Sequence, residues 1–286
     1  MLESITITGR PNHRLDDPIR RYWIWPLRFS SGTRGAVIRA LDTAVPFCKN
    51  GRWIVAALIA GALPFLLSYL FSIPGHQLVS AFMLTYLCLG CLRSNSLFKG
   101  LGMIAATYLV HCLLVVLLAF SDPQGTAPLM PGASEYWDKQ YSWITTGADP
   151  EYEIGNWLPA QAQLLAASVF YGYVSLGIIV FYEGFIEVDL MNYYNAQLMR
   201  CSVQELRAVQ YGWHIWSILR GLGYVIITLE ILSFSLQRLT RVRLSTTRLR
   251  LARLLVGLSF LGADCIVKWS TLPEVRTILF QNLNLT

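Results

Sequence analysis

The sequence predicts an all-α, polytopic integral-membrane bundle of about six transmembrane helices. Of its 286 residues, 54% are hydrophobic and only 14% are charged, and the mean hydropathy is +0.45. Soluble proteins carry about 25% charged residues, so charges would interrupt a soluble core much more often. Several apolar runs also reach the roughly 20 residues that a helix needs to cross the bilayer. We therefore expect a multi-pass membrane protein, in the endoplasmic reticulum or another endomembrane if the source is eukaryotic.

The order of polar and apolar segments predicts two regions. Residues 1–52 form a basic arm that is cytosolic or interfacial, and residues 53–286 form the transmembrane helical domain. Within that domain, residues 121–160 form a long acidic loop rich in tyrosine and tryptophan, which is typical of a membrane interface. The six predicted spans are residues 53–73, 77–92, 100–120, 161–182, 221–236 (beginning near Trp213) and 251–267.

The distribution of positive charge predicts the orientation. Nine lysines and arginines precede the first span, whereas residues 121–160 contain one. Positive residues favour the cytosolic side, so we expect a cytosolic amino-terminal arm and a non-cytosolic loop. Residues 237–250 carry five arginines, and we expect them at cytosolic headgroups too. Six simple spans would put them on the other side, so this expectation requires a re-entrant fifth segment or a miscounted span.

The amino-terminal arm and the cysteines can both be interpreted without a functional site. Residues 34–48 form either a short amphipathic helix or part of a solvated arm, and no cleavable signal peptide is visible. The six cysteines show no extracellular disulfide framework. The spacing of Cys88 and Cys91 resembles a redox motif, but both lie in an apolar run, where cysteine packs as a small hydrophobe. We expect neither a redox nor a metal site there.

Ionisable groups at membrane depth are the main candidates for chemistry, because burying them in lipid is costly. Glu183 and Glu187 are one helical turn apart and share a face, so one of them could keep its proton and act as an acid. Alternatively, they mark a helix end among headgroups. The other candidates in or beside the spans are His111, Asp189, His214, Arg220, Glu230 and Asp264.

His214 is the candidate general base, because imidazole accepts and returns a proton near neutral pH. We assign substrate contacts to Trp213, Trp216, Ser217 and Arg220, which lie around it in the sequence. The alternative is a histidine in an interfacial aromatic belt.

No tightly bound cofactor and no metal are expected. His111 and His214 could in principle hold a haem between two spans, but two of four histidines are thin support for that arrangement. No glycine-rich phosphate loop, zinc-ligand spacing or Ser–His–Asp pattern stands out.

Three segments resemble fungal wax-synthase-like proteins of the membrane-bound O-acyltransferase class. Residues 27–35 (LRFSSGTRG) and 45–53 (VPFCKNGRW) resemble the amino-terminal part of that family, and residues 202–214 (SVQELRAVQYGWH) resemble its Trp–His motif. The resemblance implies that His214 is the acyl-transfer base, with Trp213 beside it. Asp264 occupies roughly the place of a later polar group in the family, and we expect it to orient His214.

The resemblance implies acyl transfer to a hydroxyl, with acyl-CoA as co-substrate. The expected partners are the lipid bilayer and a lipophilic small molecule (a lipid, terpenoid or polyketide), and no nucleic acid. Two alternatives remain open. One is a membrane terpene cyclase, whose acids would be chosen from Glu183, Glu187, Glu230 and Asp264. The other is a non-enzymatic transporter or membrane assembly subunit.

Overall fold

A computed structural model of the chain describes residues 31–48, 51–94, 96–148, 154–240 and 246–283. These residues form eleven α-helices and no strand. An all-α fold is therefore confirmed for the described part of the chain. The helices are α1 (Ser31–Ala44), α2 (Arg52–Phe71), α3 (His76–Arg93), α4 (Leu97–Ser121), α5 (Pro123–Thr126), α6 (Ala133–Thr146), α7 (Ile154–Val174), α8 (Ile178–Arg200), α9 (Glu205–Gly212), α10 (Ile215–Thr240) and α11 (Thr247–Asn282).

Within the described residues, three helices are long and apolar enough to cross a membrane, namely α2, α4 and α10. Large apolar side chains remain exposed on the outer faces of these helices, among them Leu63, Leu113 and Leu222. Such an outer face is what lipid contact requires. The figure of about six spans is not confirmed, because the other described helices are not both long enough and apolar enough to be counted with these three.

Helices α2 and α4 run side by side in the same direction. At one end the ring of Trp53 lies against Gly102, and at the other the Tyr69 hydroxyl donates to the Asp122 carboxylate at 2.9 Å. Between these points the two backbones approach closely, because a Cβ on Gly61 would lie 2.3 Å from the carbonyl oxygen of Thr107. Only glycine fits at such an approach. Helix α3, which connects α2 to α4 in the sequence, runs in the opposite direction.

Helix α8 runs parallel to α4, and α10 runs antiparallel to both. The Tyr108 hydroxyl of α4 donates to the Phe181 carbonyl early in α8, whereas Arg200 at the end of α8 reaches the Phe120 carbonyl at the end of α4. In α10, Leu232 packs on Gly177, which immediately precedes α8. The carboxyl end of α10 therefore lies at the same end of the bundle as the start of α8.

The predicted fourth span, residues 161–182, is wrong as a single helix. The chain turns at residues 175–177, where Leu176 and Gly177 both have positive φ, so α7 ends and α8 begins. The apolar pattern runs through this turn, which is why the sequence does not reveal it. Because α7 and α8 are separate helices, residues 237–240 and 246–250 lie at the end of the bundle that holds Arg93 and Lys99. We call this the basic end.

Helices α10 and α11 form an antiparallel hairpin. A Cβ on Gly223 would lie 2.9 Å from the carbonyl oxygen of Gly257, and a Cβ on Gly257 would meet the Ile227 side chain at 2.8 Å. These small residues allow close backbone contact, a common device between helices in lipid. Residues 241–245, which include Arg241 and Arg243, lie outside the described residues.

The described part of the amino-terminal arm packs against the helices. In α1, Leu41 and Ala44 are buried, and Ala44 lies on Gly90 of α3. Cys48 and Cys91 form a disulfide. The expectation that Cys91 packs only as a small hydrophobe is therefore wrong. The two cysteines are distant in sequence and meet only because α1 folds back onto the end of α3. Residues 1–30 lie outside the described residues.

The residue 121–160 segment is also helical in large part. Helix α6 packs on α8 and buries Trp143 and Ile144. Asp122 begins this segment by capping α5, since its carboxylate accepts from the Gly125 amide at 3.0 Å. We call the end of the bundle that carries α5, α6 and α9 the far end.

The close contact of α2 and α4 predicts that Gly61→Ala destabilises the protein. The new methyl group meets a backbone carbonyl that cannot move alone, so the helices must separate, at a cost of about 1–3 kcal/mol. Gly221→Ala is the matched control, because a Cβ there has no atom within 4 Å. We expect the thermal unfolding midpoint in detergent to fall by several degrees for Gly61→Ala only. Equal midpoints would contradict the close approach.

The cap of α5 predicts a pH dependence at the far end. The Gly125 amide, followed by the Tyr69 hydroxyl, lowers the pKa of Asp122 below its ordinary value of 3.8. A lowered pKa stabilises the fold above about pH 4, and this stabilisation is lost as pH falls through the lowered pKa. Asp122→Asn keeps a capping oxygen but does not titrate. We expect the wild-type advantage in unfolding midpoint over this variant to disappear in acid. An advantage that is constant with pH would contradict this.

Candidate functional site

Three buried residues from three helices converge in the bundle. His76 is the first residue of α3, and Gly75 before it has φ +116°, which lets the chain turn sharply after α2. His111 lies in the middle of α4. Asp189 lies on the buried face of α8, one turn after Phe185. We call His76, His111 and Asp189 the His–His–Asp centre.

The Asp189 carboxylate holds this centre together. Its Oδ1 lies 2.6 Å from His111 Nε2, and its Oδ2 lies 2.8 Å from His76 Nε2. The Gln77 amide also donates to Oδ2 at 2.7 Å and to the Leu129 carbonyl at 3.2 Å. A buried carboxylate is stable only when several such groups replace its lost hydration.

The histidines are also held from the sides that face away from Asp189. His111 Nδ1 lies 3.1 Å from the carbonyl oxygen of Gly61. The ring of Phe65 packs edge-on against both imidazoles, and Phe185 packs edge-on against His111. His76, His111 and Asp189 are at most 1% exposed. The centre is therefore a fixed polar group inside an apolar shell.

Each of these three residues also offers an atom of a type that binds metal ions. The candidate ligand atoms of His76, His111 and Asp189 all lie within 4.8 Å of one another. The proposed pairing of His111 with His214 around a haem does not fit this arrangement, because both ring nitrogens of His111 already face other groups.

His214 lies elsewhere, in the connection between α9 and α10. Its carbonyl accepts from the Ser217 amide at 2.9 Å and so begins α10. Its ring stacks on Trp216 at 4.3 Å and lies close to Trp143 and Tyr194. His214 is 9% exposed, so it faces the interior of the far end and not the outer surface.

The residues around His214 have mainly packing and hydrogen-bonding contacts. The Trp213 indole donates to Asn192 of α8 at 3.0 Å. Asn192 follows Asp189 by three residues, so one face of α8 contacts both the His–His–Asp centre and the Trp213–His214 connection. Ser217 is half-buried on the first turn of α10.

Asp264 forms an ion pair with Arg220. The Arg220 guanidinium donates through Nε at 2.9 Å and through Nη2 at 3.4 Å, and Asp264 is buried. We expected Asp264 to orient His214 and Arg220 to contact substrate, whereas the described contact joins these two residues. A second ion pair, Glu230 with Arg253, links the same two helices nearer the basic end.

Glu183 and Glu187 share an exposed face of α8, as their spacing predicts. This face is opposite the buried face that carries Phe181, Phe185 and Asp189. The two carboxylates are therefore directed away from the His–His–Asp centre.

His76 and Gln77 were not among the site residues predicted from the sequence. His111 and Asp189 were recognised as costly polar residues, but their partnership was not. The three segments are distant in sequence and carry no ligand-like spacing. The only local signal was the His–Gln pair directly after Pro74–Gly75, at the start of an apolar helix.

Comparisons with protein-family models, with curated proteins and with solved structures found no match to this chain.

The Arg220–Asp264 pair predicts energetic coupling between α10 and α11. Replacing one partner leaves a charge in a largely buried site, whereas replacing both removes that cost. We expect Arg220→Met to be more destabilising than Arg220→Met combined with Asp264→Asn. A double-mutant cycle of unfolding free energies should give a coupling of about 1–3 kcal/mol. Strict additivity would show that the pair contributes no coupling.

Proposed function

We propose that the chain is a multi-pass membrane protein with its basic end in the cytosol. The exposed apolar faces of α2, α4 and α10 support contact with lipid. Because α7 and α8 are separate, seven helices (α2, α3, α4, α7, α8, α10 and α11) run between the two ends. This count brings Arg238, Arg248 and Arg250 to the same side as Arg93 and Lys99, in agreement with the positive-inside rule. No re-entrant segment is then needed.

We propose further that the protein is an enzyme that acts on a lipophilic substrate at the His–His–Asp centre. The observation that carries this proposal is the burial of one carboxylate between two imidazoles in an apolar bundle. Such a group gains little stability over well-packed apolar side chains. Ionisable groups at membrane depth therefore generally mark functional sites.

The surroundings of the centre favour an apolar substrate. Phe65 and Phe185 contact the imidazoles directly, and Tyr108 packs on Phe185. A substrate with a long apolar part can exchange contacts with such rings, and it can reach the centre from the bilayer between helices. A strongly hydrated substrate would lose its hydration without compensation.

Acyl transfer to a hydroxyl is the reaction class we propose to test first, and His214 is the second candidate centre for it. The ring of His214 is buried beneath Trp216 and beside Tyr194, which supports a role inside the protein over a lipid-facing belt. The resemblance of residues 202–214 to the Trp–His motif of wax-synthase-like proteins adds to this support.

The terpene-cyclase alternative has less support. Asp264 and Glu230 are each engaged in an ion pair with an arginine. Glu183 and Glu187 lie on the exposed face of α8. A transporter would use the His–His–Asp centre as an ion site. It would move a solute across the membrane without changing the chemical structure of that solute.

The test is a comparison of extracted lipids from cells that carry wild type, Asp189→Asn, His214→Ala or Glu135→Gln at matched abundance. Glu135 is an exposed carboxylate of α6 and serves as the control. If the His–His–Asp centre is reactive, Asp189→Asn should lower the product by at least about 10²-fold, the usual scale for losing an acid–base group.

The variants also separate the candidates. Loss in His214→Ala with a normal level in Asp189→Asn would move the reaction to His214. A lipid profile that is the same with and without the wild-type protein would reject the enzyme and leave a transport or assembly role.

A further inference from the structure

We infer that His76, His111 and Asp189 bind one divalent transition-metal ion. The inference rests on the function proposed above and adds a cofactor to it. It begins with the protonation of His111. Its Nδ1 faces the carbonyl oxygen of Gly61 at 3.1 Å, and a carbonyl oxygen only accepts. Nδ1 must therefore carry the hydrogen, and in a neutral imidazole the lone pair is then on Nε2.

That lone pair points at another acceptor. His111 Nε2 lies 2.6 Å from Asp189 Oδ1, and a carboxylate oxygen is likewise an acceptor. Two acceptors repel unless a cation lies between them. The cation is either a proton or a metal ion, and the remaining contacts favour the metal.

The first of these contacts is the second imidazole. His76 approaches the other oxygen of the same carboxylate at 2.8 Å, so two imidazole nitrogens and one carboxylate converge from three helices. A proton on His111 and the ordinary Nε2–H of His76 would satisfy the two contacts separately, whereas a metal ion would use all three groups at once.

The outer contacts match those that orient metal ligands. Metal-binding histidines usually donate their other ring N–H to a carbonyl or carboxylate, and ligating carboxylates are hydrogen-bonded in turn. Gly61 provides the first of these contacts for His111, and the Gln77 amide provides the second for Asp189. Both would remain in place with a metal bound.

The ligand types select the class of ion. Two imidazoles and one carboxylate suit Zn²⁺ or Fe²⁺, whereas Mg²⁺ and Ca²⁺ prefer oxygen ligands only. Metal bonds of about 2.0–2.2 Å hold ligand atoms roughly 3 Å apart, so the two histidine–carboxylate contacts of 2.6 and 2.8 Å would lengthen slightly. All three candidate ligand atoms already lie within 4.8 Å of one another. Three protein ligands leave a coordination position open, which is typical of a catalytic site. When bound, the ion would supply Lewis acidity toward a carbonyl or a bound water.

The experiment measures metal content in protein purified in detergent without chelators. We expect about one equivalent of Zn²⁺ or Fe²⁺ per wild-type chain by mass spectrometry, and a loss of at least tenfold in His76→Ala, His111→Ala and Asp189→Asn. His214→Ala and Asp264→Asn are the matched controls. They remove a buried histidine and a buried carboxylate outside the centre, and they should keep the metal.

A second measurement applies to the wild-type protein alone, in case a variant fails to fold. Chelator should lower its unfolding midpoint, and Zn²⁺ or Fe²⁺ should restore it, since an ion that binds the native state stabilises it. Wild type with less than about a tenth of an equivalent and no chelator effect would overturn the metal and leave a proton between His111 and Asp189.

The two proposals fail separately. Metal in the wild type together with an unchanged lipid profile in Asp189→Asn would preserve the metal site and reject the proposed enzyme centre. Lost product in Asp189→Asn with no metal in the wild type would preserve the proposed enzyme centre and reject the metal site.

Discussion

The burial of Asp189 is the constraint on which the centre of the bundle depends. A carboxylate away from water needs hydrogen-bond donors or cations on both oxygens, or it destabilises the fold by several kcal/mol. Here the compensating groups come from the start of α3 and the middle of α4. Helices α3, α4 and α8 must therefore hold a fixed relative depth. A shift of α8 by a turn, about 5.4 Å, would break every one of these contacts.

The close approach of α2 to α4 serves the same centre. Gly61 lacks a side chain, which lets the α2 backbone reach Thr107, and its carbonyl oxygen then accepts from His111. One residue thus sets both the distance between the helices and the orientation of an imidazole. Lipid provides no hydrophobic driving force between helices, so such contacts depend on small residues and on interhelical hydrogen bonds. Packing and site geometry are therefore not separable at this position.

The sequence predicted the features that depend on local composition. The all-α class, the apolar helices α2, α4 and α10, and the shared face of Glu183 and Glu187 follow from apolar runs and helical spacing. The features that depend on long-range contacts were missed. The disulfide joins Cys48 to Cys91, and His76 of α3 meets Asp189 of α8. No periodic signal marks either pair, because a contact between distant segments leaves no pattern in a single sequence.

The turn at residues 175–177 shows how one local feature decides the whole topology. Its residues are not strongly polar, so hydropathy extends across it and merges the end of α7 with the start of α8. Once the two are separated, the direction of every later helix reverses relative to a six-span count. The Arg220–Asp264 and Glu230–Arg253 pairs join the two antiparallel helices α10 and α11. Arg238, Arg248 and Arg250 lie at the basic end because of this reversal. The arginine-rich segment did not fit a six-span count because that count gives α10 the wrong direction. The direction of α10 depends in turn on the chain reversal at residues 175–177.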